Sequence, residues 1–380
     1  MSHTITLIPD ESSPQMQGQT DVERWALGFI YELNGTGAGD PRSCWTLTFP
    51  EGPSDWLLAL ELAVPVPESL RQANVWRYAL HEKDGWMVLE FNGIAVACLG
   101  GKCGVPATPP LGPEAAVVEF YAKGDLSPLA ALNDVKVLHL HELTPTSNFG
   151  VLSRLTGLRS LENVNEGEVD DLSPLSGLTA LRRLKFLSGR SIKSIAPLAD
   201  LVLLEELSLA HFNKGLDWSL LSSMKHLKSL TLSDCWLTGV EHLAGLTALE
   251  QLNLEGNPLI TDLTPLASLT KLRELNLTFA GASDLIPLTG MRRMEQLNLW
   301  MCHEVEDLTP LGEMTQLEVL SLRECSRVRD LRPLAHCQKL RSLDLHDCWR
   351  VPVEQREAVE ADDYDRLRSI LAWQTSQSGI

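Results

Sequence analysis

The chain has 380 residues, with 50 acidic and 32 basic side chains and a formal net charge of −18. That surplus argues against nucleic acid or an anionic membrane surface as the main partner, because both are polyanions that need clustered Lys and Arg. A hydrophobic fraction of 44% is ordinary for a folded chain and argues against wholesale disorder.

Residues 1–24 read as a polar, partly disordered start. Met1 to Ile5 holds no basic stretch leading into an apolar core, and the longest apolar run, Trp56 to Val66, is short and carries Glu61. The expectation is therefore a cytoplasmic protein. Residues 25–105 read as a small β-rich α+β domain. Its candidate strands are Trp25 to Leu33, Trp45 to Phe49, Trp56 to Val64, Val75 to His81, Trp86 to Phe91 and Ile94 to Cys98. Asp84-Gly85 and Asn92-Gly93 are hairpin signals between the last three. Gly35 to Gly39 reads as a loop, since no helix follows that could present amides to phosphate. His81 to Asp84 reads as a charged turn. Cys98 and Cys103 supply two ligands where a structural zinc site needs four, so no metal or cofactor is expected there. The eight cysteines as a set read as reduced thiols. A Pro-rich linker spans 106–114.

From about residue 115 to 349 the chain repeats. Aligned on L-x-x-L-x-L, clear repeats begin at Leu158, Leu181, Leu204, Leu227, Leu249, Leu272, Met294, Leu317 and Leu340, in steps of 22 or 23 residues. Less regular repeats begin at Val135 and Ala115. A second element, D-[LI]-x-P-L, recurs as in Asp262 to Leu266, Asp284 to Leu288, Asp307 to Leu311 and Asp330 to Leu334. Alternating apolar residues make a short strand with one buried face. Proline suits the first turn of a helix or a 3-10 turn. Each repeat is thus a strand, a turn and a short helical return, and only stacking buries its leucines. His139 and His141 fall on one face of such a strand beside Glu142, and read as polar surface rather than as a metal site.

This pattern resembles the leucine-rich-repeat proteins. The form L-x-x-L-x-L-x-x-[NC]-x-[LIV]-x-D-L-x-P-L is similar to the repeats of bacterial internalins and of related phosphatase-regulating proteins, and the Cys-bearing repeats resemble those of F-box proteins. The resemblance implies an α/β solenoid, a leucine-rich-repeat arc with a parallel concave sheet. It also implies that Cys235, Cys302, Cys325 and Cys348, eight residues after their repeat starts where Asn257 sits in another repeat, form an internal ladder. Cys337 reads as core in the returning segment.

Strand positions between the leucines read as a polar concave surface. Just past the strands, bulky groups collect: His211, Phe279, Trp300, Met301, Arg323, Glu324, His346 and Asp347, with Phe212, Trp236 and Trp349 close by. Water discourages Phe and Trp at such places unless neighbours cover them, and these residues other than Phe212 are the candidate partner-binding set. Residues 350–380 read as an amphipathic capping helix, Val353 to Trp373, followed by a frayed tail. No catalytic constellation is recognisable. The expected function is a non-enzymatic scaffold that binds a protein partner, in its sharpest form an antitoxin or immunity-like inhibitor of a basic toxin or enzyme. The alternatives are a delivered effector or regulatory scaffold that binds signalling proteins, and an enzyme with its chemistry in residues 1–114.

Overall fold

The computed structural model describes residues 3–9, 45–49, 75–83, 86–91, 94–100, 117–121, 126–131, 135–141, 143, 148–163 and 169–377, with side-chain environments from Leu126 onward. The chain divides into an N-terminal part, Met1–Val169 with Ser173–Leu184, and a C-terminal part, Asp170–Leu172 with Lys185–Ile380. Among the described residues no helix is long and apolar enough to cross a membrane.

In the N-terminal part the strands are β1 (His3–Pro9), β2 (Trp45–Phe49), β3 (Val75–Lys83), β4 (Trp86–Phe91), β5 (Ile94–Gly100), β6 (Val117–Tyr121), β7 (Val137–His141) and β8 (Ser160–Asn163). Strand β1 lies within the stretch read as a polar start. Its run of Thr and Ile favours an extended backbone, and it pairs antiparallel with β2 and parallel with β3. The two hairpins fall where the Asp-Gly and Asn-Gly signals predict them. Lys83 pairs with Trp86, and Phe91 with Ile94. From β5 to β8 the pairing is parallel. The expected strands at Trp25 to Leu33 and Trp56 to Val64, the Gly35 to Gly39 loop, Cys103, the 106–114 linker and Glu142 lie outside the described residues.

Strand β9 (Arg183–Phe186) falls at the division between the parts. The C-terminal part then runs β10 (Glu206–Ala210), β11 (Ser229–Ser233), β12 (Gln251–Asn253), β13 (Glu274–Asn276), β14 (Gln296–Asn298), β15 (Val319–Ser321) and β16 (Ser342–Asp344), all parallel. This is the α/β solenoid that the repeats predict. Pairing is in phase, so Leu230, Leu252, Leu275, Leu297, Leu320 and Leu343 form one buried column. Each buried leucine contributes roughly 1.5–3 kcal/mol, which one repeat alone cannot realise.

The returning segments are 3-10 turns, such as Thr264–Ser268 and Thr309–Glu313, with proline in the first turn. The aspartate of D-L-x-P-L starts each turn. Its side chain accepts the amide two residues on, at 2.8 Å for Asp262 with Thr264, Asp284 with Ile286 and Asp307 with Thr309. Hydrogen bonds from Thr264, hydroxyl first and then amide, hold the Asp262 carboxyl below its ordinary range. A lowered folded-state value means that this contribution is present at neutral pH and is lost only as acid titrates the carboxylate.

The interior ladder sits eight residues after each repeat start. The thiols of Cys302, Cys325 and Cys348 donate to the carbonyls of Leu277, Leu299 and Leu322 in the preceding repeats, at 3.1, 3.1 and 2.9 Å. Asn257 does more. Its Nδ2 donates to the carbonyls of Leu232 and Leu254, and its Oδ1 accepts the amides of Cys235 and Leu237, all within 3.2 Å. Phe212 occupies the same slot and is 1% exposed, so it is core and not surface. Its ring has room because the equivalent residue in the preceding repeat is Gly189, where an added Cβ would lie 2.2 Å from the ring.

The single capping helix expected over 353–373 is two helices, α1 (Val353–Glu360) and α2 (Tyr364–Gln377). Asp362 turns left-handed at φ 52°, and Asp363 accepts the Arg366 amide at 2.9 Å to restart the helix. Leu367 and Leu371 are buried, whereas Trp373 is 64% exposed. The Tyr364 hydroxyl accepts the Leu343 amide at 2.8 Å, and so pairs a donor of the last strand.

Two outcomes follow from the ladder. Asn257→Ala should lower unfolding free energy by about 3 kcal/mol, since several buried groups lose their partner at once. Asn257→Cys should lose less, because a thiol there meets the Leu232 carbonyl; denaturant titration reads both. Burial pushes the Cys235 thiol up to about 12, those of Cys302, Cys337 and Cys348 to about 11, and that of Cys325 higher still. At pH 8 these thiols stay protonated, so iodoacetamide with peptide mapping should modify all five only after unfolding.

Candidate partner-binding surface

The face of β11 to β15 opposite the leucines encloses a shallow depression of about 410 Å³. Its floor alternates second-position side chains (Ser229, Gln251, Glu274, Gln296) with fourth-position ones (Thr231, Asn253, Asn276, Asn298), counted from the repeat start. Sequence reasoning treats all of these as open surface. The three asparagines, and Asp344 at the same position of the last repeat, are in fact committed on one side. Asn253, Asn276, Asn298 and Asp344 each accept, through Oδ1, the amide two residues further on, at 2.9 to 3.0 Å. Short polar side chains make such turns readily, and here they fix how the chain leaves the strand. Gln251, Gln296 and Ser342 remain exposed.

The chain next turns left-handed. In every repeat from Leu204 the seventh residue has positive φ: His211, Asp234, Gly256, Phe279, Met301, Glu324 and Asp347 lie between 52° and 73°. The reason is hydrogen bonding. That residue's amide reaches the sixth-position carbonyl of the following repeat, as in Phe279 to Trp300 at 2.8 Å and Met301 to Arg323 at 2.9 Å. The eighth residue then turns inward to the ladder. A non-glycine residue in this conformation costs roughly 1–2 kcal/mol, and six of the seven positions carry one. The regular eighth-position Cys and Asn were the signal in the sequence that a sharp turn precedes them.

The candidate residues separate into two classes. Trp236, Phe279 and Trp349 are 55%, 43% and 70% exposed. His346 is also exposed, whereas His211, Trp300, Met301, Arg323, Glu324 and Asp347 are half-buried. Trp300 is already engaged. Its Nε1 donates to Glu324 at 3.1 Å, and the Arg323 guanidinium lies 5.2 Å from its ring centroid. Arg323 Nε is in turn 3.8 Å from Glu324. His303 contacts the Glu324 carbonyl at 2.9 Å, while His211 pairs with Asp234 at 3.5 Å and His346 with Asp347 at 3.4 Å. His139 lies on β7 of the N-terminal part and is half-buried. Among the described residues no three His, Cys, Asp or Glu side chains gather as a metal site.

The family described as Leucine Rich repeats (2 copies) matches residues 225–268. Among solved structures, an internalin of Listeria monocytogenes, InlF, is 30% identical over 61% of this chain and 68% of its own, with a TM-score of 0.54. The chain belongs to the leucine-rich-repeat family. Its repeats are of the internalin type. An internalin C2 of the same organism is 24% identical over 56% of this chain and 82% of its own, with a TM-score of 0.40. A leucine-rich-repeat protein of Leptospira interrogans is 20% identical over 62% of this chain and 56% of its own, at 0.46. A search of curated proteins finds no match. The leucine-rich-repeat scaffold is one suited to binding protein partners.

The two classes of aromatic residue should behave differently. Phe279→Gly relieves a left-handed backbone and should raise stability by about 1 kcal/mol. Trp300→Ala removes a hydrogen bond and a stacked cation, and should lower stability by about 1–2 kcal/mol. Thermal unfolding of the two variants beside the parent distinguishes these signs.

Proposed function

We propose that this leucine-rich-repeat protein is a non-enzymatic scaffold that holds a basic protein against the strand face and loop edge of its C-terminal part, as an immunity-like inhibitor covers a toxin or enzyme. The observation that carries this reading is the charge of that surface. Along the second, fourth, sixth and seventh positions from Leu204 to Leu340 stand Glu206, Glu274, Asp344, Glu255, Asp234, Glu324 and Asp347, against Arg323 and two histidines. The 410 Å³ depression lies among them and is lined by amide and hydroxyl side chains and Glu274, together with Val319 and the strand leucines. Such a surface attracts cations at long range and offers hydrogen bonds at short range. The ladder beneath it holds the strands in place, so little ordering is needed on association.

Affinity purification with mass spectrometry tests the reading. One stoichiometric partner of high isoelectric point is the expected product. Glu274→Arg, which reverses a charge in the depression, should weaken its capture by about tenfold or more, as truncation or reversal at a complementary interface does. Glu360→Arg, the same change at the exposed end of α1, should leave capture unaltered. Equal effects of the two substitutions would reduce the surface to bulk charge, and an acidic partner would refute the reading.

A further inference from the structure

The loop edge of the C-terminal part holds one arrangement of ring, carboxylate and guanidinium, with Arg323 Nε 3.8 Å from Glu324. The Arg323 guanidinium lies over the Trp300 ring, and Glu324 meets both the indole N–H and the arginine. The physics is general. The negative face of an aromatic ring attracts a cation, and a carboxylate beside it pairs with the N–H groups of a guanidinium. In this repeat the chain supplies the guanidinium itself.

Two other places on the same edge carry a ring and a carboxylate without a guanidinium, Asp234 there facing His211 at 3.5 Å and Glu255 the Asn276 amide. Trp236 stands two residues from Asp234, whose carboxylate is about half exposed. Phe279 stands in the repeat after Glu255, and Asn276 of the Phe279 repeat donates to the Glu255 carboxylate at 3.2 Å, drawing it toward that repeat. Among the described residues no cation lies over Trp236 or Phe279. Both rings are also costly to the fold in two independent ways. They are exposed to water at 55% and 43%, and both stand on left-handed backbone, at φ 53° and 59°. Gly256, at the position of Phe279 in the preceding repeat, shows what that turn accepts without strain. A ring that is both wet and strained does nothing for the fold that glycine would not do better.

We infer that Trp236 with Asp234, and Phe279 with Glu255, are two guanidinium-binding sites that take arginine side chains of the protein partner. The inference rests on the reading of this part as a partner-binding surface, and it names the chemistry that the partner must present. The two rings are two repeats apart, about 10 Å at the usual strand spacing, which two arginines three residues apart on one side of a polyproline II segment span. Arginine is favoured over lysine because its planar group stacks on a ring while still pairing with a carboxylate, whereas ammonium is a strongly hydrated point charge.

The test uses the full chain and two labelled probes, hexa-arginine amide and hexa-lysine amide, by fluorescence anisotropy at physiological salt. Hexa-arginine should bind several-fold more tightly. The double variant Trp236→Ala/Phe279→Ala should weaken it about tenfold while hardly altering hexa-lysine, the loss of two exposed ring–cation contacts. Trp373→Ala, an exposed ring on α2, should change neither. Arg323→Ala should tighten hexa-arginine by vacating the Trp300 and Glu324 site, and more than Arg341→Ala does, which removes the same charge elsewhere. Equal binding of the two peptides, absence of binding, or unchanged binding by the double variant would overturn the inference. Its failure is separable from that of the functional reading. Partner capture that depends on Glu274 while the rings ignore arginine removes the inference alone. Arginine selection by the rings without any Glu274-dependent partner removes the functional reading alone.

Discussion

The fifth-position leucine carbonyl of each repeat points into an apolar interior, and everything else in the C-terminal part accommodates the need to pair it. A buried carbonyl without a donor is expensive. In the Cys-bearing repeats two donors reach it: the eighth-position amide of its own repeat and the eighth-position thiol of the next. A small side chain that carries a donor, Cys or Asn, meets this need in five of the seven repeats from Leu204, whereas Phe212 and Ala280 fill the slot without one. Because the thiol comes from the neighbouring repeat, the bond also locks adjacent repeats in phase. The leucine columns and the parallel register follow from that lock.

The same need shapes the outer surface. To bring the eighth residue inward, the seventh turns left-handed, and in four repeats the fourth spends its side-chain oxygen on the sixth amide. The residues thrown outward by this turn, Phe279 and Asp234 among them, and the ninth-position Trp236, are those with freedom to meet another molecule. Interior satisfaction and exterior presentation are thus two ends of one five-residue segment. The acidic character of the edge adds reach, since charge acts over about a Debye length while rings act on contact.

The phase of the repeats was legible in the sequence, because a period of 22 or 23 residues held over nine repeats leaves little choice of register. So was the 3-10 return, since aspartate and proline at fixed offsets state a turn and its direction. The ladder was legible from Cys235, Cys302, Cys325 and Cys348 once aligned. The side-chain commitments were not. Nothing in the letters for Asn276 or Asn298 says that one end of the amide is already used by the backbone. Nothing about Trp300 says that Arg323 lies on it, because that pairing depends on positions adjacent across the sheet rather than along the chain. Phe212 stands in the sequence among aromatic residues that are exposed; only its register, shared with the cysteines and facing Gly189, reveals it as core. The helix break at Asp362 escaped notice because the apolar spacing runs through it.

The fit of the Phe212 ring into the space left by Gly189 bears on how such a chain can change length. Consecutive repeats from Met294 to Leu340 share a thiol in the ladder, so they are interchangeable parts, and duplication or loss of one would bring like against like. The Leu181 and Leu204 repeats are not. The missing methyl of one is filled by the ring of the other, so neither can be shuffled, copied or removed without its mate. Growth and shrinkage of this protein over evolutionary time are therefore channelled toward its C-terminal repeats, with the 189–212 pair acting as a fixed point behind them.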